Sequence, residues 1–252
     1  MNLREPGAIL LVSCYELGHQ PLAAASPLGF LKRAGFAPDA LDIAVDPFDP
    51  EKVARARFVG VSVPMHTALR LGVRVTERVR EINPGATICC YGLYAALNAD
   101  YLLEHGADYC VGGECETPLV ALAEALTTRN GNGKPIDVEG VIQRGSASKP
   151  FLQRLSFALP VRDALPPLNK YAWLEHRGQR RTVGYTEASR GCLHLCTHCP
   201  IPPVYGGRFF IVPQDVVLED IRNQVRAGAE HITFGDPDFL NGPGHALSVV
   251  RA

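Results

Sequence analysis

The chain has 252 residues, 46% of them hydrophobic, with 25 basic and 26 acidic side chains and a net charge of −1. That balance excludes the basic footprint of a nucleic-acid binder, and no run of 18 apolar residues offers a membrane-spanning helix. Eight cysteines follow an N-terminus whose short apolar run meets Cys14 and Glu16, unlike a secretory signal. They read as reduced thiols of a cytoplasmic protein, some of them metal ligands.

The first half alternates strand and helix. Residues 8–14 are a continuous apolar run, as in a strand buried on both faces. A helix is expected over 26–34, with Ser26 as its N-cap, Pro27 at its first position and Gly35 just beyond it. Further strands are expected over 41–45, 58–63, 87–91 and 109–111, and further helices over 50–57, 67–82, 98–105 and 117–128. The stretch 129–134, R-N-G-N-G-K, reads as a loop. Five βα units in succession predict an α/β domain over 1–135, a doubly wound parallel sheet of Rossmann or flavodoxin type. Ligands of such sheets bind beyond the carboxyl ends of the strands. The loops at that edge, 15–25, 64–67, 92–98 and 112–116, carry most of the unusual residues of this half, among them Gly18-His19, His66, Gly92 with Tyr94, and Gly112-Gly113.

Residues 136–142 can add a strand, and 136–182 as a whole reads as an ordered, Pro-rich linker in which Tyr171 and Trp173 pack the two halves together. A strand over 183–188 follows, then a cysteine-bearing loop. Val217, Ile221 and Val225 mark one face of a helix over 214–227, set between Pro213 and Gly228. A strand over 231–234 runs into G-D-P-D-F, and a last helix is expected over 245–251. Residues 183–252 thus hold about two βα units. They should expose strand edges and apolar helix faces, which invites association.

The chemistry is concentrated in S-R-G-C-L-H-L-C-T-H-C-P, which sets Cys192, Cys196 and Cys199 in the spacing C-x3-C-x2-C. Thiolates this close can converge on one small metal–sulfur object, and iron–sulfur clusters usually take four. With three, one iron keeps the open position that a catalytic metal needs. Two other readings stand beside it. The thiols can be core residues, or His194 or His198 can complete a crowded tetrahedral zinc set.

After a strand-like V-G-Y-T-E-A-S, this spacing resembles the signature of the radical S-adenosylmethionine (radical SAM) enzymes. The resemblance implies that Cys192, Cys196 and Cys199 bind a 4Fe-4S cluster, whose open iron chelates SAM and whose electron cleaves it to a 5′-deoxyadenosyl radical. His198 stands where that family has an aromatic residue near the adenine. Phe234 to Asp238 stand where it carries a Gly-Gly-Glu type motif that meets the SAM amino group. Gly235, Asp236 and Asp238 are the matching residues, while a turn with an Asx cap explains D-P-D equally well.

Residues 1–128 resemble the cobalamin-binding domain that precedes many radical SAM barrels. Ser62, Gly92, Gly112 and Gly113, with Glu114 beside them, match the places where the nucleotide tail passes and the backbone must come close. The D-x-H-x-x-G motif is absent. E-L-G-H-Q-P with His19 stands in its region, which implies cobalt without a protein histidine. R-D-A-L-P-P-L at 162–168 is similar to segments joining the two domains of these enzymes. S-R-G-C-x-H-x-C-x-H-C-P-I and H-I-T-F-G-D-P-D-F look most like a subgroup with a tail of Cys or selenocysteine, Ala, Glu and Pro, absent from these 252 residues.

The resemblance implies an N-terminal cobalamin-binding domain followed by the first βα units of an incomplete radical SAM partial barrel over 183–252. It also implies three cofactors (a 4Fe-4S cluster, SAM and cobalamin), an electron donor such as flavodoxin or ferredoxin, and a small-molecule or peptide substrate. Its chemistry would be methyl transfer or another radical step. The chain is expected to be truncated and inactive by itself. A non-catalytic cobalamin- or zinc-binding module is the alternative. An electron-transfer cluster would need a fourth cysteine, and Cys14, Cys89, Cys90, Cys110 and Cys115 all lie in the first half.

Overall fold

Five short segments pair as a parallel sheet, four of them mostly apolar and buried on both faces, while the edge strand D-A-L-D begins two residues before the expected 41–45. They are β1 (Ile9–Ser13), β2 (Asp39–Asp42), β3 (Phe58–Ser62), β4 (Thr87–Tyr91) and β5 (Tyr109–Val111). The protein is seen here in a computed structural model that describes residues 1–128, 136–146 and 149–252, so the loop expected over 129–134 lies outside the described residues. The strand order 2-1-3-4-5 is that of a flavodoxin-like sheet, with its switch point between β1 and β3. β6 (Val141–Ile142) adds at the β5 edge, antiparallel and shorter than expected.

Helices cover both faces. α1 (Leu22–Arg33) and α6 (Glu116–Thr128) pack on one through Leu28, Leu31, Leu119 and Leu122. α2 (Pro50–Arg55), α3 (His66–Ile82), α4 (Leu93–Leu97) and α5 (Ala99–Glu104) cover the other through Val53, Val73, Ala95 and Leu102. α1 begins four residues before the expected cap at Ser26, which leaves Pro27 inside the helix. Its free N–H groups are taken by Glu16, whose carboxylate accepts from Leu22 (2.9 Å) and Ala23 (3.1 Å). Ser26 instead donates to Glu116 at 2.7 Å. The helix expected over 98–105 is α5, and α4 is an additional helical turn within the loop expected over 92–98.

The second half opens with a hairpin inside the expected linker. β7 (Trp173–His176) pairs antiparallel with β8 (Gln179–Thr186). Arg177 (φ +51°) and Gly178 (φ +74°) supply the two positive φ angles that such a tight turn requires. β9 (Ser189–Gly191) and β10 (Phe209–Ile211) form an antiparallel pair that brackets the cysteine loop and α7 (Pro202–Tyr205). α8 (Gln214–Arg226) then returns the chain to β11 (His231–Phe234), parallel to β8, and α9 (Pro243–Arg251) follows. Among the described residues no helix is long and apolar enough to cross a membrane.

Arg162 of the R-D-A-L-P-P-L segment joins the halves. Its guanidinium donates to both carboxylate oxygens of Asp220 in α8 (2.6 and 2.8 Å), to the Tyr185 carbonyl (2.6 Å) and to Gln20 after β1 (3.1 Å). Tyr171 is buried and donates to Asp42 at 2.8 Å. Trp173 does not pack between the halves: it is 53% exposed, under the Arg180 guanidinium of its own hairpin. Val225, Leu240, Leu247 and Val250 are exposed, as expected of the second half.

The Arg162–Asp220 pair is bidentate and buried, so Asp220→Ala strands a buried cation. It should cost about 3–5 kcal/mol and lower the urea midpoint sharply. Asp46→Ala, which removes only an exposed partner of Lys170, should cost less than about 1 kcal/mol.

Candidate functional site

The carboxyl ends of β1, β3, β4 and β5 and those of β8 and β11 border one open cleft. Glu16, Tyr91, Gly92, Gly113 and Glu116 line it from the sheet domain, and Tyr185, Glu187, Arg190, Tyr205 and Gly235 from the second half. Both sequence motifs therefore reach the same space.

Arg190, two residues before Cys192, is the hub. It pairs with Glu187 of its own segment and with Glu114 (3.2 Å) and Glu116 (2.7 Å) of the β5–α6 turn. Beyond the cysteines, the Tyr205 hydroxyl donates to Glu114 at 2.9 Å. One pair of sheet-domain glutamates thus holds both ends of the cysteine loop. Gly191 is required between Arg190 and Cys192. Its φ is +71°, and a Cβ there would lie 2.4 Å from the Arg208 carbonyl.

Three buried carboxylates around one guanidinium cannot all ionise freely. Burial raises Glu114 to about 7 against the pull of Arg190, with the Glu116 charge adding to the rise. Burial also raises Glu187, again opposed by Arg190. At Glu116 burial is outweighed by the charge and hydrogen bonds of Arg190, so its carboxyl stays below the ordinary range. Across the cleft, burial lifts Glu16 to about 8 although two helix N–H groups oppose the rise.

The cysteines share a loop without converging. Cys192 is buried, accepts from the Asn241 amide at 3.4 Å, and donates its own N–H to the Arg208 carbonyl. Cys199 is half-buried and Cys196 exposed. Among the described residues no three His, Cys, Asp or Glu side chains stand together as a metal site. His198 is exposed, and His194 Nε2 is 3.2 Å from Asp238.

In G-D-P-D-F, Gly235 lines the cleft and donates to the Thr186 carbonyl at 2.7 Å. Asp236 accepts from the Ala188 N–H (3.0 Å) and the Ser189 hydroxyl (2.5 Å), tying β11 to the β8–β9 junction. Asp238 caps the turn Phe239–Asn241 through the Leu240 N–H at 3.0 Å. The cap reading thus accounts for Asp238, while Asp236 serves as a tie between distant strands.

At the sheet edge, Gly92 and Gly113 line the cleft, but the room a side chain would need there is filled by protein. A Cβ at Gly92 would meet the Val63 carbonyl at 3.0 Å, and one at Gly113 the Phe151 carbonyl at 2.2 Å. A Cβ at Gly112 would meet the Ala96 Cβ at 2.1 Å. These glycines let the chain pack on itself. Glu114 is fully buried in the Arg190 network.

Three buried polar atoms belong to this edge, after β1 and at the ends of β3 and β4. His19 Nδ1 has no hydrogen-bond partner among the described residues, and the Ser62 and Tyr91 hydroxyls have none beyond each other. Buried unpaired groups are rare in folded proteins, and each calls for an explanation. The His19 ring stacks on Tyr185 with centroids 4.5 Å apart, and burial lowers its pKa. Sequence reasoning missed Glu16, Tyr91, Glu116, Glu187, Arg190 and Tyr205 as site residues. The only local sign was acid and base standing beside the motifs, in G-E-C-E and S-R-G-C.

Three comparisons bear on this site. A family profile described as the B12 binding domain matches residues 8–123. The hopanoid C-3 methylase of Methylococcus capsulatus is 31% identical over 136 residues, 52% of this chain and 25% of that protein. Two structures of TsrM, a radical S-adenosylmethionine methyltransferase from Kitasatospora setae, share the fold over 97% of this chain and 50% of theirs. The one with tryptophan substrate and the SAM analogue aza-SAM has a TM-score of 0.70 at 19% identity. The one with cobalamin and a 4Fe-4S cluster has 0.72 at 18%. The chain therefore spans about half of TsrM, and its match a quarter of the hopanoid enzyme. The profile match gives a B12-binding domain over 8–123, and the likeness to TsrM shows a shared fold over nearly the whole chain.

Glu16 and Glu114 hold protons in the folded protein that the unfolded chain releases near the ordinary carboxylate value of 4.5. Their contribution to stability is full below that pH and is lost as pH rises towards about 8. Glu16→Gln should remove part of this loss. Its urea midpoint should fall less than that of the wild type between pH 5 and pH 9.

Proposed function

We propose, for a chain with a B12-binding domain over 8–123 and the fold of a cobalamin radical SAM methyltransferase, that the cleft is where a corrinoid meets a SAM-bearing iron–sulfur cluster. The protein would be part of a methyl-transferring radical SAM enzyme. The observation that carries this reading is that both flanks of the cysteine loop, at Arg190–Gly191 and at Ile201 and Tyr205, line the same cleft as Tyr91, Gly92 and Gly113 of the sheet edge.

The donor set fits a cluster. Cys192, Cys196 and Cys199 would hold it, three thiolates that leave one iron open for SAM. The sheet edge fits a corrinoid because the cleft lies where doubly wound sheets bind ligands. When bound, the cluster and SAM supply reductive cleavage of a carbon–sulfur bond, and cobalamin supplies a methyl carrier.

The chain's own residues do the positioning. Arg190 and Tyr205 anchor the two ends of the cysteine loop on Glu114 and Glu116. Tyr185, backed by His19, walls the opposite side. Gly235 presents backbone at the rim, the place expected to face the SAM amino group, while Asp236 and Asp238 hold the loop that carries it. The exposed His198 is free to stack on a flat ring. The electron would come from a flavodoxin- or ferredoxin-like donor, and the substrate is a small molecule or peptide.

Anaerobic reconstitution with iron and sulfide should load about four irons per chain. Cys192→Ala, Cys196→Ala and Cys199→Ala combined should abolish the loading, and SAM should shift the EPR signal of the reduced protein. Zinc at about one per chain with no iron uptake would overturn the radical reading. The 252 residues alone, half of the TsrM length, are expected to bind cofactors without turnover; measurable 5′-deoxyadenosine would show otherwise.

A further inference from the structure

The turn after β11, Phe239–Asn241, stands on a firm base. Asp238 caps it through the Leu240 N–H at 3.0 Å, and the Asn241 N–H donates to the Asp238 carbonyl at 3.1 Å. Phe239 packs against the buried cluster of Ala188, Val212 and Val217. From that base the turn touches the entry of the cysteine loop three times. Asn241 Oδ1 accepts from the Leu193 N–H at 3.3 Å, Asn241 Nδ2 donates to Cys192 Sγ at 3.4 Å, and Asp238 faces His194 Nε2 at 3.2 Å.

The surroundings fix which way the amide points. Leu193 offers an N–H, which the amide oxygen accepts, so the NH2 group is left facing the sulfur. The reverse orientation would set donor against donor and oxygen against sulfur. The three thiols differ in how they are held. Cys192 is 9% exposed, its N–H donates to the Arg208 carbonyl at 3.1 Å, and its sulfur receives the amide. Cys196 is exposed and Cys199 half-buried, and among the described residues no side chain donates to either sulfur. Cys192 is therefore in place before a metal arrives, and the other two must come to it.

We propose that Asn241 is a positioning residue for the iron–sulfur cluster: it holds Cys192 as the anchoring ligand and, by donating to its sulfur, raises the cluster's reduction potential. Sulfur ligands carry more negative charge when a cluster is reduced, so a donor aimed at one stabilises the reduced form more than the oxidised form. Hydrogen bonds to sulfur are among the features that set cluster potentials, and partners of this kind also orient the ligand itself. The role of Asn241 rests on the cluster reading above and is independent of the corrinoid. It gives the loop after β11 a part in electron uptake, separate from the contact of Gly235 at the cleft rim.

The test is EPR-monitored potentiometry of the 252-residue protein, reconstituted anaerobically with iron and sulfide and kept free of SAM, as wild type, Asn241→Leu, Asn241→Asp and His194→Ala. Asn241→Leu keeps the bulk of the side chain and removes the donor. Asn241→Asp keeps an acceptor for the Leu193 N–H, removes the donor and adds a charge, and it carries the test if Asn241→Leu fails to fold. In Asn241→Leu the ratio of reduced to oxidised cluster at a fixed potential should fall about tenfold, a midpoint lower by about 59 mV for a one-electron couple. Asn241→Asp should lower it further. His194→Ala removes a different contact between the same turn and loop and should keep the wild-type midpoint. A wild-type midpoint in the iron-loaded Asn241 variants, or an equal fall in His194→Ala, would overturn the role. A wild type that takes up no iron would remove the cluster reading itself, and the role of Asn241 with it.

Discussion

One guanidinium among three carboxylates holds the two halves of this protein in a working arrangement. Arg190 lies almost out of solvent, and its partners Glu114 and Glu116 come from a turn more than 70 residues earlier in the chain. In such a setting the ion pairs are worth less as net stability than as constraint, because every alternative placement leaves a charge buried and unpaired. The constraint bears on the cysteine loop. Arg190 fixes its entry, and Tyr205, through the same Glu114, fixes its exit. The thiols between them can stay loosely arranged while the loop as a whole keeps its address at the cleft.

The turn that carries Glu114 and Glu116 is itself held by packing. The Phe151 carbonyl sits where a side chain at Gly113 would be, and Ala96 fills the space beside Gly112. The small size of these glycines brings two pieces of chain against β5, and so sets the height of the glutamates. On the far side, Arg162 repeats the principle with Asp220, Gln20 and the Tyr185 carbonyl. Two buried arginines, one at each flank of the cleft, do what a continuous apolar interface does in other two-domain proteins.

Much of the fold was legible because the signals were local. The strands at 87–91, 109–111 and 231–234 begin and end where their apolar runs meet turn residues, and their bounds were read off without error. The start of α1 was not legible, since its cap is the side chain of Glu16 rather than the Ser26 that the pattern offers. The β7 strand was missed because its four residues carry no alternation, and only the turn at Arg177 and Gly178 commits them to pairing. The cysteines announced themselves by spacing. The Arg190 network could not, because it depends on which distant segments the sheet brings side by side. D-P-D shows the opposite limit: the sequence left a ligand and a cap equally open, and Asp236 and Asp238 are occupied by the protein's own N–H and hydroxyl groups.

The hairpin of β7 and β8 has a directional meaning. β8 lies in the middle of a three-stranded sheet, with β11 parallel on one side and β7 antiparallel on the other. β7 covers one flank of the strand that leads into the cysteine loop. The parallel run begun by β8 continues through β11, whose outer edge pairs with no described strand, so the side of the cleft beyond β11 is where the parallel pairing of this sheet stands open.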